Sequence, residues 1–414
     1  MKEEILTHLD DPAFLEKLYR SNKSQFKESL LEIKKEQTSN PAIEFWNARL
    51  SYESPSISWG SNNELIYVAI GCFIAGMIGK IPDIFSVSPD FFLPRNIGFV
   101  VFPVLIAYFA WKNTLSRQAI GILAGIISIC VIYINVLPDN SDSDSIALAC
   151  IHLPLLLWAI LGISFSGNNF RSLSPRLEFL RFNGDAAVMC AVIGIAGALL
   201  MAITFGLFEL IGINMEPIFE KYILVFGLPS VPILATFLTQ TNPQLVNKVT
   251  PIVAKLFSPA VLIMLVVYIG AIIYSGKDPY NDREFLLIFN LLLIGVMALI
   301  FFSIAENSEK GKITLDIWVL FFLSLVSIIV NGIALSAIIF RISEWGFTPN
   351  RLAVLVANIL ILIHLVLVTY HLFKTVSKKS DLAEVGVAVA KFIPIYFIWG
   401  LIVIFIFPIA FSFQ

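Results

Sequence analysis

From Leu65 onward the chain is a succession of apolar runs, 15 to 26 residues long, separated by short polar breaks. A helix that crosses the hydrocarbon core of a bilayer takes about 20 predominantly apolar residues. Runs near residues 65–79, 91–111, 118–138, 145–166, 186–211, 219–239, 256–275, 284–304, 315–340, 350–372 and 389–412 therefore predict eleven spans. The first run is short, and Lys80 and Pro82 follow it closely. The 65–111 region then reads either as two tilted spans or as a re-entrant piece plus one span. The predicted fold class is an all-α polytopic transmembrane helix bundle.

Residues 1–63 break this pattern and predict a small soluble helical module ahead of a membrane domain at 64–414. Asp11 before Pro12 is an N-cap and first helical position, and Phe14, Leu15 and Leu18 make a short apolar face behind it. From Ser24 to about Lys35, Phe26, Leu30 and Ile33 recur at spacings of four and three, the stripe of a second amphipathic helix. Pro41 ends it, and Phe45, Trp46 and Leu50 are expected to pack beneath these helices rather than lie at the headgroup level.

Composition sharpens the class. The chain is 57% hydrophobic and 14% charged, against about 25% charged in soluble proteins, which excludes a water-soluble globule. The formal charge of −2 leaves no basic excess for binding nucleic acid. Cys72, Cys130, Cys150 and Cys190 fall inside apolar runs without metal-site spacing and read as buried thiols. The acidic start, MKEEILTHLDD, is the reverse of a cleavable signal, so the first span is expected to act as the insertion signal.

Orientation follows from loop charge. Counted over alternate loops, one side carries thirteen Lys and Arg and the other seven. By the positive-inside rule the N-terminal module is expected in the cytoplasm and the C-terminus in the periplasm or outside. Residues 242–257 and 377–391 have helical apolar spacing and serve equally well as surface helices or as continuations of their neighbours.

Polar groups inside the runs are the candidate chemistry, because each is costly in hydrocarbon. Asn290, Asn331, Asn358, His364 and His371 lie in spans eight to ten, with Ser324 and Ser327 one and two turns from Asn331, and the two histidines share a helix face. They predict either a water-lined pocket or proton path, or interhelical glue worth about 0.6 kcal/mol per bond; glue is the leading reading. His152 reads as a satisfied interior histidine, and Glu209 as a solvated rim residue. Gly121 and Gly125 form a G-x-x-x-G pair suited to internal packing or to homo-oligomer formation.

The most distinctive segment is RISEWGFTPNR, residues 341–351. Thr348 and Pro349 make a helix start, and Gly346 suits a tight turn. Arg351 opposes the positive end of that helix's dipole, so Glu344 is expected to pair with it. Arg341, Glu344, Thr348 and Arg351 thus predict a structural latch, with an anion site on the two arginines as the alternative. An Arg-Ile ending one span, an acidic residue, an aromatic, Gly, then Thr-x-Asn-Arg opening the next resembles the bacterial multi-pass family called domain of unknown function 4153. That family usually has Tyr where Trp345 stands. The stretch from Phe219 to Leu238 and the following VVYIGAIIY are similar to its earlier spans. The resemblance covers residues 65–412 and implies a multi-pass protein of the bacterial inner membrane, with no activity attached.

No phosphate-binding loop, H-E-x-x-H zinc site or G-x-S-x-G nucleophile elbow occurs. No metal, cofactor or enzymatic activity is expected. The lipid bilayer is the expected partner. The functional expectation is an envelope scaffold or sensor that binds a protein through residues 1–63; the alternative is a small-molecule or ion transporter using the polar groups of spans eight to ten.

Overall fold

The computed structural model describes residues 2–21, 26, 29, 30, 32, 33, 40–52, 60–140, 142–169, 172–210, 216–243, 250–275, 280, 283–307 and 315–413. Every regular element among them is a helix. The chain divides into two compact units, Met1–Trp59 and Gly60–Gln414.

The first unit contains helices α1 (Lys2–Thr7), α2 (Pro12–Ser21) and α3 (Pro41–Tyr52). The Asp11 carboxylate accepts the backbone N–H groups of Ala13 and Phe14, both at 3.1 Å, which starts α2 at Pro12 as the cap-and-proline pattern requires. Its core is Ile5, Leu15, Tyr19, Phe26, Leu30, Ile33, Ile43 and Trp46. Trp46 turns inward, whereas Phe45 beside it is 64% exposed. Arg49 lies over the Trp46 ring at 4.8 Å and pairs with Glu16 at 2.8 Å.

The second unit is a bundle of long helices: α4 (Asn62–Gly79), the short α5 (Ile81–Phe85), α6 (Pro89–Lys112), α7 (Arg117–Val136), α8 (Asp144–Ser166), α9 (Ser174–Leu210), α10 (Glu216–Thr241), α11 (Thr250–Ser275), α12 (Arg283–Asn307), α13 (Leu315–Trp345), α14 (Pro349–Val376) and α15 (Leu382–Phe405). A helix stands at each of the eleven predicted places. Nine of them are long and apolar enough over their described residues to cross a membrane, and α11 and α12 carry shorter described apolar stretches, Phe257–Val267 and Phe289–Ala305. This is an all-α polytopic bundle.

Ser61 caps α4 by accepting the N–H of Glu64 at 3.2 Å, so the bundle begins ahead of Glu64. The 65–111 region is a helical hairpin. Glu64 meets Tyr108 and Lys112, while Tyr67 donates to the Val104 carbonyl at 3.1 Å, so α4 and α6 run antiparallel. Residues 382–391 continue α15 and bury Leu382, Val385 and Val389, so that segment is a continuation and not a surface helix. The stretch 244–249 lies outside the described residues, as does the side chain of Glu209.

Two apolar cores share the bundle. One gathers residues of α4, α6, α7, α8 and α10, and the other residues of α11 to α15. Two helices join them: α9 places Phe179 and Phe182 in the first core and Leu180 against the second, and α15 contributes Val385 and Val389 to the second and Ile404 to the first. Close approach depends on small residues at several crossings, most tightly at two. A Cβ on Gly76 would stand 2.0 Å from the Phe226 ring, and one on Gly184 1.9 Å from the Phe302 ring. Gly121 and Gly125, by contrast, have nothing within 4 Å of that position and serve no close crossing within this bundle. Around them α7 turns Ile122, Ile129, Ile132 and Val136 outward, the surface expected of a helix facing acyl chains.

Candidate functional site

Helices α13 and α14 pack along one seam, and polar side chains recur on it. Ser324, Ser327, Asn331 and Asn358 on it are at most 1% exposed, as is His364, which turns to α12 and α15 instead. At one level Asn331 donates its amide to the Asn358 carbonyl oxygen at 3.1 Å. At another Thr369 donates to the Ser324 hydroxyl at 3.0 Å. Residue numbers fall along α13 as they rise along α14, so the helices are antiparallel and Ser327 lies between the two rungs. Asn358 extends the first rung to a third helix, donating to Asn290 of α12 at 2.7 Å and to its own Val354 carbonyl at 2.9 Å. The structure thus brings Asn290, Asn331 and Asn358 together. The amide oxygen of Asn331 is buried without a hydrogen-bond partner.

His364 sits near the middle of α14, in a box of aromatic rings. Phe301 of α12 lies 4.5 Å from its centroid, and Phe392 of α15 stacks at 4.3 Å with 28° between planes. Its Nδ1 is 3.2 Å from the Tyr396 hydroxyl, while Nε2 is buried and has no hydrogen-bond partner. An imidazole half satisfied at bilayer depth is costly to keep. His371, two turns further on, reaches the end of α15, where its Nδ1 is 3.6 Å from Glu384. That is within ion-pairing range but too long for a hydrogen bond. His364 and His371 share the α14 face, one enclosed and one at its rim.

The 341–351 segment forms a tight turn with different partners from those expected. Gly346 has φ +75°, and the Thr348 hydroxyl caps α14 by accepting the N–H of Arg351 at 3.3 Å. Arg351 does not pair with Glu344. Its guanidinium donates to the carbonyls of Trp345 and Gly346, at 2.7 and 2.8 Å. A cation misplaced at the start of α14 is well placed at the C-terminal end of α13, where carbonyls point out unpaired. Arg341 and Arg351 both lie over the Trp345 indole, at 5.0 and 5.7 Å.

Other buried polar groups are not singled out by the sequence, whose loop count places Arg95 outside the spans although it is buried. Arg95, inside α6, donates to the carbonyls of Ile134, Leu137 and Pro138 and so closes the end of α7. Asn96 and Asn135 exchange amide hydrogen bonds at 2.8 and 2.9 Å. Glu64 accepts from Tyr108 at 2.6 Å and from Lys112 at 3.1 Å. The apolar runs at 91–111 and 118–138 nonetheless enclose Arg95, Asn96 and Asn135, and the rule that such groups need partners would have found them. Tyr396 carries no such mark, because a span tyrosine is ordinary. His152 is satisfied within its own helix, its Nδ1 donating to the Leu148 carbonyl at 2.8 Å.

Among the described residues no three His, Cys, Asp or Glu side chains are grouped to hold a metal ion. All four cysteines are free thiols. Compared with family models, with characterised proteins and with solved structures, the chain matches none. Its helices mark it as a multi-pass membrane protein.

Proposed function

We propose that this protein is a transporter of small solutes or ions, and that the α12–α15 seam is its path. One observation carries the reading: His364, an ionisable group, is enclosed at mid-helix against α12 and α15 with a ring nitrogen unpartnered, and α12 also reaches the amides of the neighbouring α13–α14 seam through Asn290. Glue alone accounts for the asparagine and serine rungs, but it gives no reason to keep an imidazole there. In this reading the protein lies in a bacterial inner membrane with its N-terminal unit in the cytoplasm, it is not an enzyme, and the 341–351 turn marks kinship with the domain of unknown function 4153 family.

A transport path must admit water at some point in its cycle. Ser327→Cys, a near-isosteric change, is therefore expected to react with a membrane-impermeant thiosulfonate in reconstituted vesicles, well above the background of the parent chain, whose Cys130 and Cys150 are buried and whose Cys72 and Cys190, expected buried, are half-buried. Labelling of the Ser327→Cys variant only after denaturation would make the seam dry glue and end the transport reading.

A second reading, an envelope scaffold or sensor, is favoured by the first unit. It has its own core and leaves Phe45 exposed, a side chain suited to a protein partner.

A further inference from the structure

We infer that the ion carried along this seam is the proton and that His364 is its carrier, with Tyr396 as the residue that positions the ring. The inference rests on the transport reading and adds to it the identity of the ion. A hard metal cation needs six or more oxygen ligands, carboxylates prominent among them. The described seam residues offer amides and hydroxyls in separate pairs. A proton needs one group that changes charge between pH 5 and 8, and imidazole is the side chain whose ordinary titration falls there.

The surroundings of His364 suit that task. From α15, Tyr396 is the titratable group against the ring, and Phe392 stacks on it; from α12 the contact is Phe301. On α13 the residue nearest its level, between the two rungs, is the uncharged Ser327. The cations nearest on the α15 side turn elsewhere: Arg176 donates to the Ala390 carbonyl at 3.2 Å, and Lys391 is exposed. On its own helix the next titratable group on the same face is His371, about 10 Å along, facing Glu384, while Tyr370 beside it is exposed. Among the described residues no carboxylate is hydrogen-bonded to the ring or paired with it, and two aromatic faces are placed to favour the cation when it forms.

The step is simple. With Nδ1–H donating to the Tyr396 oxygen, the Nε2 lone pair accepts a proton from hydronium: an N–H bond forms, an O–H bond breaks and water is left. The imidazolium then gives its Nδ1 proton to water on the Tyr396 side, which leaves the neutral ring protonated on Nε2, and a flip of the ring that exchanges the places of the two nitrogens readies it for the next proton. One proton and one positive charge cross, and no heavy atom is exchanged.

The test uses the full chain in phosphatidylcholine vesicles holding a trapped pH dye, with an inside-negative potential set by potassium and valinomycin. Wild-type vesicles are expected to acidify. His364→Gln, which keeps polarity but cannot titrate, is expected to fall to the rate of protein-free vesicles. His152→Gln, in the other core, is expected to leave the rate unchanged. Folding is checked by a monodisperse elution in detergent. If His364→Gln does not fold, Tyr396→Phe carries the test, because it removes one oxygen and keeps the ring; its flux is expected to drop several-fold. Undiminished flux in folded His364→Gln, or in Tyr396→Phe when that variant stands in, overturns the inference. So does absence of wild-type flux while the Ser327→Cys variant is labelled in vesicles, and in that case the transport reading stands. Absence of both flux and labelling removes the two together.

Discussion

Arg351 shows how a residue that is wrong for its own helix is right for its neighbour. A cation in the first turn of α14 opposes the local dipole, and its guanidinium answers by bending back over six and five residues to the Trp345 and Gly346 carbonyls. Hydrogen bonds from a charged donor contribute roughly 1.5–3 kcal/mol when well made, and this one is partly exposed. Arg351→Ala is expected to lower stability in detergent by about 1–3 kcal/mol. Glu344→Ala is expected to stay within about 0.5 kcal/mol of the parent, as surface changes usually do. Denaturation monitored by tryptophan fluorescence would decide, and equal losses in the two variants would restore a carboxylate latch.

Helices in a membrane approach one another where side chains are small, since hydrophobic burial does not separate one apolar surface from another there. The crossing of α9 and α12 is of this kind: the Phe302 ring lies against the bare Cα of Gly184. Gly184→Ala puts a methyl group into that ring and is expected to cost roughly 1–3 kcal/mol, the usual range for overpacking. Adding Phe302→Leu should return part of the loss, because the two sites are in contact and do not act independently. Gly121→Ala on α7, in open space, is expected to be neutral or slightly stabilising. Thermal unfolding of the parent and these variants checks this, and a Gly184→Ala variant as stable as its parent would mean that the crossing is looser than the ring contact implies.

At the scale of the whole molecule, the two units have separate cores. A chain of residues 60–414 is therefore expected to fold without the first unit, with helical content and unfolding midpoint close to those of the full chain. Circular dichroism in detergent measures both. In the transport reading this truncated chain also retains the vesicle proton flux; loss of flux with the fold intact would favour the sensor reading, in which the first unit acts on the bundle.

Hydropathy alone determined that the chain is an all-helical membrane protein, and it located most helices to within a few residues, because a span must be apolar along its whole length whatever it packs against; α9 and α15 begin twelve and seven residues earlier than predicted, where polar turns extend the helix beyond its apolar stretch. Caps were legible for the same local reason: Asp11 and Thr348 each bond within three residues. Partners were not. Asn331 could be seen to need a partner, but nothing in the sequence says that Asn358 is level with it, since that depends on the register of two antiparallel helices. His364 could be placed at mid-span, but its enclosure by Phe301, Phe392 and Tyr396 arises from three helices meeting at one level. Local hydrogen bonds and transfer free energies are properties of short segments, and a linear sequence carries them. Which polar group meets which across the bundle is decided by packing, and only the tertiary structure holds that.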